Sequence, residues 1–124
     1  MRAAPIALCA LLLIGATGCD QSEPLLREAV SRTTPRGATA YDIATAATDL
    51  HSKTFTWQLE LPEGWRDYAG WLRQGLEDYE LRAVSDTALT FSRTTNGGAL
   101  QLHVQVITGG LPSHAKATLV MTSH

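Results

Sequence analysis

Hydrophobic residues recur along this chain with two different periods, and the change from one to the other divides it into elements. At residues 54–61 the pattern alternates strictly: Phe55, Trp57, Leu59 and Leu61 fall on one side, and Thr56, Gln58 and Glu60 on the other. That spacing predicts a half-buried strand. Pro62, Glu63 and Gly64 end it, and Trp65, Tyr68, Ala69, Leu72 and Leu76 then share one helical face, predicting a helix from Trp65 to about Glu77 with Trp71 off that face. From Tyr79 onward the period is two again. Tyr79, Leu81 and Ala83 are followed by Leu89 and Phe91, then by Leu100, Leu102, Val104 and Val106, and last by Ala115, Ala117, Leu119 and Met121. Turn residues separate these runs, with Asn96-Gly97-Gly98 the strongest hairpin signal. The expectation is an antiparallel meander that is apolar on one face and polar on the other.

Upstream, residues 38–52 place Ala40, Ile43, Ala47 and Leu50 at helical spacing, and Thr39 with Asp42 resembles a capping box, so a helix is expected there. Residues 20–37 are polar and punctuated by Pro24, Pro35 and Gly37, with a short apolar patch at Leu25, Leu26, Ala29 and Val30. They read as a flexible tether with a reach of roughly 25 Å. The whole predicts an α+β domain over residues 38–124, built as two layers: an antiparallel sheet of about five strands with helices packed on its apolar face.

The first twenty residues follow a different logic. Arg2, an apolar run from Ala3 to Ala16, and the small residues Ala16, Thr17 and Gly18 precede Cys19. A run of about fourteen residues is shorter than the roughly twenty needed to span a bilayer, so it reads as a leader removed after residue 18. It resembles the precursor signal of bacterial lipoproteins. The resemblance implies that Cys19 becomes the first mature residue and carries lipid, and Asp20 after it resembles an inner-membrane retention signal. Ala16-Thr17-Gly18 also fits ordinary secretory cleavage, but the other cysteine, Cys9, lies in the leader, and a lone thiol in an oxidising compartment is accounted for by a thioether to lipid. The organisation expected is therefore a signal peptide at 1–18, a lipidated cysteine and tether at 19–37, and one domain. It faces the periplasm from a membrane surface.

Composition narrows the function. The chain has ten basic and twelve acidic residues; without Arg2, nine basic face twelve acidic, a net charge of −3 for residues 19–124. There is no basic excess for nucleic acid. His51, His103, His114 and His124 show no metal-ligand spacing, no serine sits in a glycine-rich elbow, and the acidic pairs at Glu60 and Glu63 and around Asp78 stand at element ends, so no metal, cofactor or catalytic residue is assigned. Candidate contact residues are Arg82, Arg93, Gln101, His103 and Gln105 on the polar sheet face, together with Trp71. The expected function is a non-enzymatic binding or assembly accessory of an envelope complex, held by membrane lipid through Cys19 and meeting an unidentified protein partner. An inhibitor or immunity protein against a cell-wall-degrading enzyme, acting through residues 109–114, and a ligand carrier or enzyme using the polar face are the alternatives.

Overall fold

The structure is a computed structural model, and it describes residues 22–123. The leader, Cys19, Asp20 and His124 lie outside the described residues. In chain order the elements are α1 (Ser22–Thr33), β1 (Thr39–Thr48), β2 (Ser52–Leu61), α2 (Trp65–Gly75), β3 (Glu80–Val84), β4 (Ala88–Thr95), β5 (Gly98–Thr108) and β6 (Ser113–Ser123). The strands form one six-stranded sheet in the order β1-β2-β6-β5-β4-β3, antiparallel throughout. Both helices pack on the same face of the central strands. The α+β class and the meander β3-β4-β5-β6 agree with the sequence pattern, and the sheet has six strands where about five were expected.

The inward residues of the four alternating runs make the core. Trp57, Leu59, Leu61, Leu102, Val104, Ala115, Ala117 and Leu119 are wholly buried, as are Tyr68 and Leu72 from α2. Leu76 and Tyr79, just past the end of α2, continue the same apolar stripe down to β3.

The sixth strand comes from residues 38–52, which form β1 and a turn where a helix was expected. β1 pairs with β2 from Thr39↔Glu60 to Thr48↔Lys53, with two register irregularities. At the first of them Asp42 takes a positive φ of 56°, so the apparent capping residue is the left-handed residue of a bulge. The helical spacing here rested largely on alanines, which bury little area, whereas pairing with β2 satisfies the backbone along the whole strand. Asp49 closes the turn, its Oδ1 accepting from the backbone N–H groups of His51 (2.9 Å) and Ser52 (2.8 Å). Those bonds hold its carboxyl below the usual carboxylate range.

Residues 22–33, read as part of a tether, are the helix α1. Glu23 and Glu28 stand four residues before Arg27 and Arg32, the favourable order for helix ion pairs, and both pairs form. The apolar patch is small, as its sequence says, but it does not fold alone: Ala29 and Thr33 are buried against the sheet and α2.

A buried hydrogen-bond knot makes that docking specific. The Thr33 hydroxyl donates to the Ala29 carbonyl (2.9 Å) and accepts from the indole Nε1 of Trp57 on β2 (3.1 Å). The Tyr68 hydroxyl of α2 donates to the Thr33 carbonyl at 2.6 Å. One residue thereby satisfies polar groups from three elements inside an apolar core. Burial pushes the Tyr68 phenol far above its ordinary pKa, which keeps it a neutral donor at every accessible pH.

Across the sheet, the β4–β5 hairpin depends on Gly98, because a Cβ there would overlap the Thr122 backbone carbonyl of β6, while a Cβ on Gly97 meets nothing within 4 Å. Gly98→Ala is expected to lower stability by about 1–3 kcal/mol, with Gly97→Ala much milder, as read by urea denaturation of the two variants. Thr33→Val leaves the buried Trp57 N–H without its acceptor and is expected to cost about 1–3 kcal/mol. In a double-mutant cycle, adding Trp57→Phe to Thr33→Val should cost less than it does in the wild type. Strict additivity would mean that the two groups do not depend on each other.

Candidate interaction surface

Helices cover only one face of the sheet, so the register of the ladders decides what the other face presents. Gln58, Lys116 and Gln105 line up across β2, β6 and β5. The next row is Thr56, Thr118, His103 and Thr90, and the one after it Thr54, Val120, Gln101 and Ser92. Of these eleven side chains only Lys116 is charged. Gln101, Gln105 and Lys116 are exposed and the others are half-buried by one another.

His103 stands near the centre of this face. Its Nδ1 lies 2.8 Å from the Thr90 hydroxyl and its Nε2 3.1 Å from Gln105 Oε1. With the amide oxygen accepting from Nε2–H, Nδ1 is free to accept the Thr90 proton, so the neutral ring satisfies both neighbours. This Thr-His-Gln chain has the order of a hydroxyl, a base and an orienting group. Neither of the two described cavities includes His103; they lie at the ends of the strands, at about 840 Å³ and about 440 Å³.

Four of the six contact residues expected from sequence are brought together here or beside it. Gln101, His103 and Gln105 share the face, and Arg82 joins at the β3 edge, where it donates from Nε to Ser92 Oγ at 2.9 Å and approaches Glu80 at 3.4 Å. Alternation from the inward Leu81 puts Arg82 on this side with Glu80, and the bulge between Leu81 and Ala83 brings Ala83 to it as well, opposite Thr90. Arg93 is on the opposite face. It pairs with Leu100, which is buried, and alternation from Phe91 puts its guanidinium on the helix side. Trp71 is separate from both groups: it stacks on Tyr68, ring centroids 5.9 Å apart, and remains 37% exposed, with no helix from residues 38–52 to cover it.

Arg93 belongs instead to an ionic cluster that the chain pattern does not announce. Asp78 receives both nitrogens of Arg32, at 2.9 and 2.5 Å, and Arg93 Nη1 at 3.0 Å. Arg32 also donates to the Gly75 carbonyl at 2.8 Å, and both arginines approach Glu28 at 3.6–3.7 Å. The Tyr79 ring takes the two guanidiniums at 5.6 and 5.0 Å from its centroid. The cluster ties α1, the turn after α2 and β4 together. Its one visible sequence signal is the Glu28–Arg32 spacing; Asp78 and Arg93 are distant in sequence and meet only through the fold. Donation from Arg32, and then from Arg93, holds the Asp78 carboxyl well below the usual carboxylate range.

The remaining histidines are dispersed. His51 lies in the β1–β2 turn, and His114 Nδ1 meets the Thr108 hydroxyl at 3.0 Å. Among the described residues no three of His, Cys, Asp and Glu are grouped as a metal site would require, and no helix is long and apolar enough to cross a membrane. No family model, curated protein or solved structure matches the chain.

The ionic cluster makes a pH prediction. A carboxyl whose folded pKa is depressed contributes stability above its unfolded pKa, near 4, and loses it as pH falls through and below that value. Asp78 is 44% exposed, so solvent screening limits the contribution to about 1 kcal/mol. Asp78→Asn should therefore reduce stability at pH 7 by about that amount and flatten the acid limb of a stability profile between about pH 5 and 2. Equal acid limbs for variant and wild type would assign the pH dependence to other groups.

Proposed function

We propose that the chain is a lipid-anchored periplasmic lipoprotein that binds rather than catalyses, serving as an accessory of an envelope complex through the uncovered face of its sheet. The observation that carries the binding half is the composition of that face. Charged residues make up 18% of the whole chain, and a surface designed for solvation carries roughly 25–35%. Across the three central rows here, one residue of eleven is charged and the rest are mainly threonine, glutamine, serine and histidine. Charge depletion is the compositional mark of an interface core. Polar side chains pre-bonded to one another, as in Thr90, His103 and Gln105, also lose little freedom when a partner arrives.

The anchoring half is supported by the leader pattern ending at Cys19. One acyl chain gives marginal attachment and two or more a stable one, so a lipidated Cys19 would keep the domain on the membrane without a spanning segment. Asp20 favours the inner membrane.

A second reading, an inhibitor of a cell-wall-degrading enzyme, is favoured by Leu111, which is 75% exposed in the loop between β5 and β6. An apolar side chain on a loop tip suits insertion into a partner's cleft.

One set of proteins tests both halves. Wild type and Cys19→Ala, each expressed with its own leader in a bacterial host, are compared by intact mass and detergent partitioning. The expected result is a diacylglyceryl-sized adduct and detergent partitioning in the wild type alone; an aqueous, unmodified wild type would sink the anchor. A photocrosslinking amino acid is placed at Gln101, at Leu111 and, as a control, at Gln74 on α2. A discrete adduct from Gln101, lost on adding His103→Ala, is expected. Adducts from Leu111 and none from Gln101 would replace the sheet-face reading with the inhibitor reading.

A further inference from the structure

The packing of α1 changes how far the domain can stand from its anchor, and the fold then determines which end meets the bilayer. α1 begins at Ser22, three residues after Cys19, and an extended chain spans at most about 3.6 Å per residue, so Ser22 lies within about 11 Å of the lipidated position. A coil reaching to residue 37 would have put the domain roughly 25 Å from the anchor; with α1 packed, that distance is the shorter one.

Ser22 and Leu50 line the same cleft, which opens at one end of the sheet. The register places that end unambiguously. Thr48, Ser52, Ser123, Gly98 and Thr95 are neighbours there, so the β1–β2 turn and the β4–β5 turn both project from it. At the tip of the first turn is Leu50, 86% exposed, the most exposed of the large apolar side chains among the described residues. Turn tips are ordinarily Gly, Asn, Asp or Ser, and here Leu50 stands between Asp49 and His51, with Ser52 following. The Asp49 carboxylate beside Leu50 is directed at the backbone of its own turn, its Oδ1 accepting from His51 and Ser52. Behind Leu50 the cleft has an apolar floor that includes Leu25, Leu100 and Met121.

We infer that this end is the bilayer-facing surface of the domain and that Leu50 inserts among the lipid headgroups and upper acyl chains. The partner is a phospholipid bilayer and the contact is interfacial, with nothing spanning. The strands then stand away from the membrane. β6 has eleven residues, so at about 3.3 Å per residue its far end, with Leu111, sits more than 30 Å from Leu50. Leu111 and the neighbouring Val84 and Ile107 point into the periplasm, and the charge-depleted face runs perpendicular to the bilayer, open from the side.

The inference rests on the proposed lipidation of Cys19, and the test separates the two. Leu50→Cys and Leu111→Cys are each made in the full chain, purified from membranes with the leader removed, and weighed intact. With Cys19 in a thioether the introduced cysteine is the one reactive thiol, and it is labelled with an environment-sensitive dye. The proteins are then reconstituted in phosphatidylethanolamine–phosphatidylglycerol vesicles with and without lipids carrying a nitroxide high on the acyl chain. The expected result is a blue-shifted Leu50-site label quenched several-fold more strongly than the Leu111-site label, which keeps its aqueous spectrum. A lipidated protein whose Leu50-site label stays in water, or whose two labels are quenched alike, overturns the orientation and leaves the anchor standing. A mass without lipid overturns the anchor, and the orientation with it, before any fluorescence is read.

Discussion

The hydroxyl of Thr33 is the point on which the two-layer arrangement turns. Helix α1 offers little apolar area, and area alone would let it slide over the sheet, since hydrophobic contact is not directional. The indole N–H of Trp57 and the phenol of Tyr68 are both wholly buried, and each needs an acceptor. Thr33 supplies one with its side chain and one with its backbone. Moving α1 by a single residue would leave at least one buried donor without a partner, at a cost of about 1–3 kcal/mol. The register of α1 is therefore fixed by polar satisfaction, and the ionic cluster at Asp78 reinforces it from the rim.

The two edges of the sheet are managed differently, and this bears on where partners can approach. β3 is five residues long, carries Glu80 and Arg82 and is broken by a bulge, all devices that discourage strand addition. β1 has no charge after Asp42, and its protection consists of two register irregularities and the left-handed Asp42. Most of β1 is exposed, so it acts as a margin to the sheet more than as part of the core. The central four strands carry the packed residues on one side and the charge-depleted rows on the other.

Where side chains decided the structure, the sequence was readable. Phe55 to Leu61 and the four later runs alternate apolar with polar residues, and each alternation became a strand with the expected face inward except at Ala83, which the bulge in β3 turns outward opposite Thr90. Residues 38–52 misled because alanine and threonine carry so little packing information that a chance helical spacing of four residues looked meaningful; what decided them was a long-range ladder to β2. Residues 22–33 were misjudged for the opposite reason. Their local signals, the paired Glu and Arg four apart, were present, but the worth of the segment lies in Trp57 and Tyr68, 24 and 35 residues beyond Thr33. Of the candidate surface, Gln101, His103 and Gln105 are placed outward by alternation, and the same alternation places Arg93 inward, off the polar face on which it was expected. Its neighbours Phe91 and Leu89 put it on the inner side, and only the presence of Asp78, Glu28 and Tyr79 at the rim explains how a guanidinium is accommodated there.

Strand β1 and helix α1 have one consequence in common: the packed part of the chain is larger, and begins nearer Cys19, than periodicity implied. A strand added at one margin and a helix packed on the core leave two residues, Asp20 and Gln21, between Cys19 and the first described element. With Cys19 lipidated as proposed, a shorter leash would restrict how the domain turns on the membrane, so that less ordering would remain to be met when one face is presented to a partner. A face that binds from the side needs such presentation more than one that binds from the tip. The uncovered sheet face, whose strands run from the Leu50 end to the Leu111 end and whose rows cross them, is the surface that would gain most from α1 being docked. Polar satisfaction at Thr33, deep in the core, is in this way coupled to how the outermost rows of the protein are presented.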